Sequence, residues 1–217
     1  MQYKRNIRHY AGIAKLIIKG SGLFRLFPAF IIFVLLPLMQ IAVYFKTNDL
    51  LEVKNRIMID AQIYIPIASV IDVIMILYVF FDHDGKEGIR FYEKKPLRIL
   101  IIPEIVFDIV LIPVFIIYSV WLKDITIALY LRCVMINFYF FGSSVMLTAL
   151  FGGISIAVVS CVVYSTLCIL ELVYGVNVSY FALYYSNTGY IADAVKYMVI
   201  AVVMIVISIR YCKKIQA

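Results

Sequence analysis

The stretch Ile99–Trp121, ILIIPEIVFDIVLIPVFIIYSVW, decides the class of this chain. A helix that crosses the hydrocarbon of a bilayer needs about 20 predominantly apolar residues, and this run supplies them with only Glu104 and Asp108 as charged interruptions. Comparable apolar runs occupy 27–45, 63–81, 125–150, 154–174 and 192–210. Of the 217 residues, 65% are hydrophobic and 15% charged, and the mean hydropathy is +1.00. Soluble domains run at about 45–50% apolar and about 25% charged. These values exclude a soluble globular enzyme, a disordered tail and a secreted disulfide scaffold. The expected fold is all-α: one transmembrane domain over 1–217, with six transmembrane helices preceded by an N-terminal amphipathic helix.

That N-terminal element is read over 1–26. Lys4, Arg5, Arg8, Lys15 and Lys19 share one sector at about 100° per residue, while Tyr3, Ile7, Tyr10, Ala14, Ile17 and Ile18 gather on the other side. A basic amphipathic helix of this kind lies in the membrane interface, with its cations against anionic headgroups. Gly20, Ser21 and Gly22 allow the chain to turn before Pro28 opens the first span. No cleavable signal peptide is apparent, so the run from Phe27 is kept as a true span. The net charge of +7 reads as topology rather than as nucleic-acid binding. With both termini cytoplasmic, the inner segments and Arg210 hold 14 Lys and Arg against five in the outer segments, and that excess sets the orientation. Proline at 37, 103 and 113 is expected to kink its helices. Gly152–Gly153 provides a turn, and the aromatic segment 175–191 is read either as a short interfacial or re-entrant element capping the outer mouth or as an ordinary aromatic belt on a loop. Cys133, Cys161 and Cys168 lie inside apolar runs and Cys212 beyond the last, which predicts buried free thiols rather than disulfides. Two histidines without a cysteine pair at ligand spacing argue against a structural metal site.

The strongly charged internal segment is 82–98, DHDGKEGIRFYEKKPLR, between the second and third runs. Five cations and four anions there surround Ile89, Phe91, Tyr92 and Leu97, a pattern suited to a short amphipathic helix with aromatics that plug into a partner's groove. Within it, Glu87-Gly88-Ile89-Arg90-Phe91-Tyr92-Glu93-Lys94-Lys95-Pro96-Leu97-Arg98 resembles the cytoplasmic loop of ABC-2 family permeases. There an acidic residue and Gly precede an amphipathic turn, and Pro with a basic residue leads into span three. The chain lacks the usual Thr after the Gly and has one residue fewer before the Pro.

The resemblance implies the membrane subunit of a bacterial ATP-binding-cassette exporter in the inner membrane, moving an amphipathic peptide, lipid-like molecule or drug. Glu87–Arg98 would then be the coupling helix that docks on a separate ATPase subunit. The chain would work in the bilayer as a homodimer, or as a heterodimer with a second permease. No G-x-x-x-x-G-K-[ST] phosphate loop occurs in it, so hydrolysis is assigned to the partner, which would carry the ATP and Mg²⁺; no cofactor is expected on this chain.

Ionisable residues within apolar runs are functional candidates by default, because a charge at that depth is costly. Asp72, Asp108 and Arg132 form one such group. It is read either as a charge network that holds the bundle together or as the lining of a substrate path. Glu104 and Glu171, near opposite boundaries, are expected to reach water. Two other function classes stay open: a membrane-embedded transferase using Asp82 and Asp84 with Mg²⁺, and a small secondary carrier or uptake subunit using Asp72, Asp108 and Arg132.

Overall fold

The computed structural model describes residue 22 and residues 26–81, 96–122, 127–151, 153–174 and 190–215. These residues form six helices: α1 (Leu26–Thr47), α2 (Leu50–Phe81), α3 (Pro96–Leu122), α4 (Ile127–Phe151), α5 (Ser155–Tyr174) and α6 (Tyr190–Ile215). Four of them, α1 to α4, are long and apolar enough to cross a bilayer, which is consistent with a membrane protein. In α6 the apolar portion is the shorter stretch Val195–Ser208. The amphipathic segment 1–25, apart from Gly22, lies outside the described residues, as do most of the charged strip (82–95) and most of the outer aromatic segment (175–189).

The largest departure from the sequence reading is between the first two helices. Residues 46–62 are not a connecting loop: two residues, Asn48 and Asp49, make the whole turn. Asn48 takes the left-handed conformation (φ 53°) and its N–H donates to the Tyr44 carbonyl at 2.8 Å, a C-terminal stop that asparagine tolerates. Asp49 then accepts from the Leu51 N–H at 2.8 Å, with Glu52 in the first turn of α2, where an acidic side chain suits the helix N-terminus. The charges of 52–60, read as loop residues, therefore ride on a helix 32 residues long, about 48 Å.

Proline acts differently at different places. In α1 the backbone between Ile31 and Leu35 widens to a π turn, with the Leu36 N–H on the Ile31 carbonyl. This looser turn sits just before Pro37, whose missing N–H already deprives the preceding turn of a partner. By contrast, α2 runs as a helix through Pro66, and α3 through Pro103 and Pro113.

Helices α2 and α4 form the centre. α2 packs against α1, α3, α4 and α5, and α4 against α2, α3, α5 and α6. The Cys133 thiol of α4 approaches the Ala61 carbonyl of α2 at 3.9 Å, and further along Ile136 and Phe140 meet Val70. The paired residue numbers rise together, so the two central helices run parallel. α3 shows how a membrane helix is sorted by face. Glu104, Phe107, Asp108, Leu111, Val114, Phe115 and Tyr118 are buried, whereas Ile102, Ile105, Val106, Ile109, Val110, Ile112, Ile116 and Ile117 are exposed. The buried set follows the i, i+3, i+4, i+7 spacing of one helical stripe, and the exposed set presents branched aliphatics outward.

The most extensive helix pair is α4 with α6, where the backbones come close. A Cβ built on Gly142 would lie 2.9 Å from the Ala201 carbonyl oxygen and 3.2 Å from its Cα. Small residues at such crossings allow the intimate packing that drives helix association in lipid. Tyr139 and Tyr197 stack edge-on beside it at 5.6 Å.

Candidate functional site

One group of buried polar residues gathers where α2, α3 and α4 meet. α3 places Glu104 and Asp108 four residues apart on its inward stripe, about 6 Å along the axis. Ser69 of α2 donates to Glu104 Oε1 at 3.0 Å, and Asn137 Nδ2 of α4 donates to Asp108 Oδ1 at 2.8 Å. The Tyr130 hydroxyl donates to the Asp108 backbone carbonyl at 3.1 Å. Both Asp72 and Asp108 are near enough to act electrostatically on Glu104, and both Arg132 and Asp108 act on Cys133. One polar seam thus joins three helices through side chains that the sequence scatters over 69–137.

A second polar layer lies toward the α1–α2 turn. The Tyr118 hydroxyl donates to Gln40 Oε1 at 2.6 Å, and Arg56 Nε pairs with Asp60 Oδ1 at 3.1 Å. Asp60 is close enough to act on Tyr118. Tyr44 and Trp121 meet edge-on one turn further out, at 6.4 Å between ring centres.

Asp72, Asp108 and Arg132, the three intramembrane candidates, are all buried. The direct side-chain partner of Asp108 is Asn137, which the sequence reading did not single out. Glu104 requires a correction. Expected at a boundary with access to water, it is 1% exposed, because it occupies the same stripe of α3 as Asp108 and faces Ser69. The four-residue spacing was a signal for this placement; Ser69 and Asn137 carried none, since uncharged polar residues are common in membrane helices. Glu171 lies in α5, but its side chain is outside the described set. Of the expected coupling strip, Glu87, Gly88, Ile89, Arg90, Phe91, Tyr92 and Glu93 lie outside the described residues, as do Asp82 and Asp84. Pro96 and Arg98 fall in the first turn of α3, where proline at a helix start costs no hydrogen bond. Cys133 and Cys161 are free and buried, as expected, and Cys161 sits 3.3 Å from the Ser144 hydroxyl.

α2 and α5 line an open apolar cleft of about 390 Å³. Ile67, Val70, Ile71, Ile74, Val158 and Val162 make most of its wall, with Thr166 as a polar edge. Its chemistry suits a hydrocarbon chain or an apolar side chain. Among the described residues, no three His, Cys, Asp or Glu side chains gather as metal ligands. Comparison of the chain with protein-family models, with curated proteins and with solved structures finds no match.

Proposed function

We propose that this chain is the membrane subunit of an ABC-2-type exporter, with six spans, cytoplasmic termini and a separate ATPase. The observation that carries the reading is the charged strip of the sequence that ends at Pro96–Arg98, in the first turn of α3, and follows α2 in the chain, two helices that pack together. A push on the segment that joins them in the chain acts on both. In this mechanism ATP-driven closure of the partner displaces the strip Glu87–Arg98 and rocks α1, α2 and α5. Differential contact with the strip in the two nucleotide states shifts the equilibrium of the bundle. The apolar cleft between α2 and α5 supports an amphipathic substrate, whose hydrocarbon portion it would accommodate. The test is affinity purification of the full chain from its native membrane, followed by ATPase assay of the material. An ATP-binding-cassette ATPase is expected to co-purify, and deletion of 85–96 is expected to remove it or its stimulation. A complex and activity that survive the deletion overturn the coupling role.

A second reading, an ion-coupled carrier, is favoured by the acidic seam of Asp72, Glu104 and Asp108 with Arg132. Coupling helices have no need of buried carboxyls 104 and 108, whereas ion-driven carriers place such groups in the bilayer. Uptake or export that follows a proton or sodium gradient in vesicles without ATP would select it.

A further inference from the structure

The donors and acceptors of the α2–α3–α4 seam do not balance. Ser69 and Asn137 each supply one donor, to Glu104 Oε1 and Asp108 Oδ1. On the donor side Arg132 Nη1 is buried and makes no hydrogen bond, and on the acceptor side Glu104 Oε2, Asp108 Oδ2 and Asn137 Oδ1 are buried and accept none. All four side chains are more than nine-tenths buried, and a buried polar atom left without a partner costs about 1–3 kcal/mol. The charged surroundings of Glu104 are one-sided as well. Asp72 acts on Glu104 from α2, and α4 contributes Arg132, with Tyr130, Cys133 and Asn137. The next ion pair along α2, Arg56 with Asp60, is internally matched. Among the described residues, the charged groups that act on Glu104 are both carboxyls, and Arg132 enters the neighbourhood through Cys133.

We propose that Glu104 and Asp108 together hold one exchangeable proton, which makes the seam a proton-binding site within the bilayer. A proton on Glu104 Oε2 or Asp108 Oδ2 turns an orphaned acceptor into a donor and removes one of two like charges a single helical turn apart. The two hydrogen bonds that fix the pair come from different helices, so displacement of α3 against α2 or α4 breaks one of them and alters the hold on the proton. Proton occupancy is in this way tied to helix position, whatever drives the motion.

The experiment is infrared difference spectroscopy of the purified full chain in lipid nanodiscs across pH, with Glu104→Gln and Asp108→Asn alongside. The expected result is a carboxylic-acid carbonyl band in the parent protein at neutral pH. It should fade reversibly as pH is raised and lose a resolvable part of its intensity in each variant. The amides imitate the protonated form and should keep the thermal midpoint close to that of the parent. Absence of the band in the parent, or a band unchanged in both variants, overturns the proposal. So does an absent band combined with stabilisation by sodium, which assigns the site to a metal cation. Mass spectrometry after treatment with an apolar carbodiimide gives a check on the parent alone: an adduct at residue 104 or 108 that high pH suppresses is expected, and its absence counts against the site. Failure here leaves the ATPase reading untouched, since that rests on the strip before α3.

Discussion

The two faces of α4 hold their neighbours by different physics. Toward α6 it presents Gly142 to the backbone of Ala201, and association there comes from close van der Waals contact. Toward α3 it presents Asn137 to Asp108, and association there depends on satisfying groups that lipid cannot solvate. In a bilayer the hydrophobic effect does not draw helices together, so close packing and polar contacts share that work. The difference teaches what each contact is most sensitive to: the packed crossing to added volume, the polar seam to the loss of a donor or acceptor.

The comparison breaks most visibly at the crossing. Gly142→Leu is expected to destabilise the chain by about 3 kcal/mol or more, because the new side chain has backbone rather than a flexible terminus to displace. The readout is thermal unfolding in detergent followed by a thiol-reactive dye, since Cys133 and Cys161 are buried in the folded state. Gly153→Ala is the control, with nothing within 4 Å of an added Cβ, and should leave the midpoint unchanged.

At the seam, Asn137→Ala removes the donor to Asp108 and is expected to cost about 1–3 kcal/mol. Pairing it with Asp108→Asn should recover part of that loss, because the second change removes the acceptor left stranded. A double-mutant cycle with no coupling between the two positions would show that the hydrogen bond contributes nothing. Asp49→Ala tests the turn between α1 and α2; loss of a capping carboxylate typically costs about 1 kcal/mol. Smallest is Ser69→Ala, expected near 0.6 kcal/mol, about the average measured for side-chain hydrogen bonds between membrane helices.

Much of this architecture was legible because hydropathy over 20-residue windows reports a solvent preference that no tertiary contact reverses. The starts of α4 and α5 fall within two residues of the apolar runs read from the sequence. The α1–α2 turn was missed for a specific reason. Glu52, Lys54, Arg56 and Asp60 lower the hydropathy of 46–62 to that of a loop, yet charge does not stop a helix whose inner side, Val53, Ile57 and Ala61, is fully buried and whose inward Asp60 is paired with Arg56. Thr47-Asn48-Asp49 carried the stop and start signals in plain view. At the seam, Asp72, Asp108 and Arg132 were identifiable because each is costly in lipid; their company was not.

The sequence by itself determined that this chain is helical and made for lipid, since an uninterrupted apolar run leaves the backbone no partner but itself. Only the tertiary structure decided that Glu104 turns inward beside Asp108, that a serine and an asparagine from two other helices meet them, and that Gly142 lies on Ala201. Such pairings depend on the rotation and depth of separate helices. Those are set by the mutual fit of whole surfaces, which no local stretch of residues encodes.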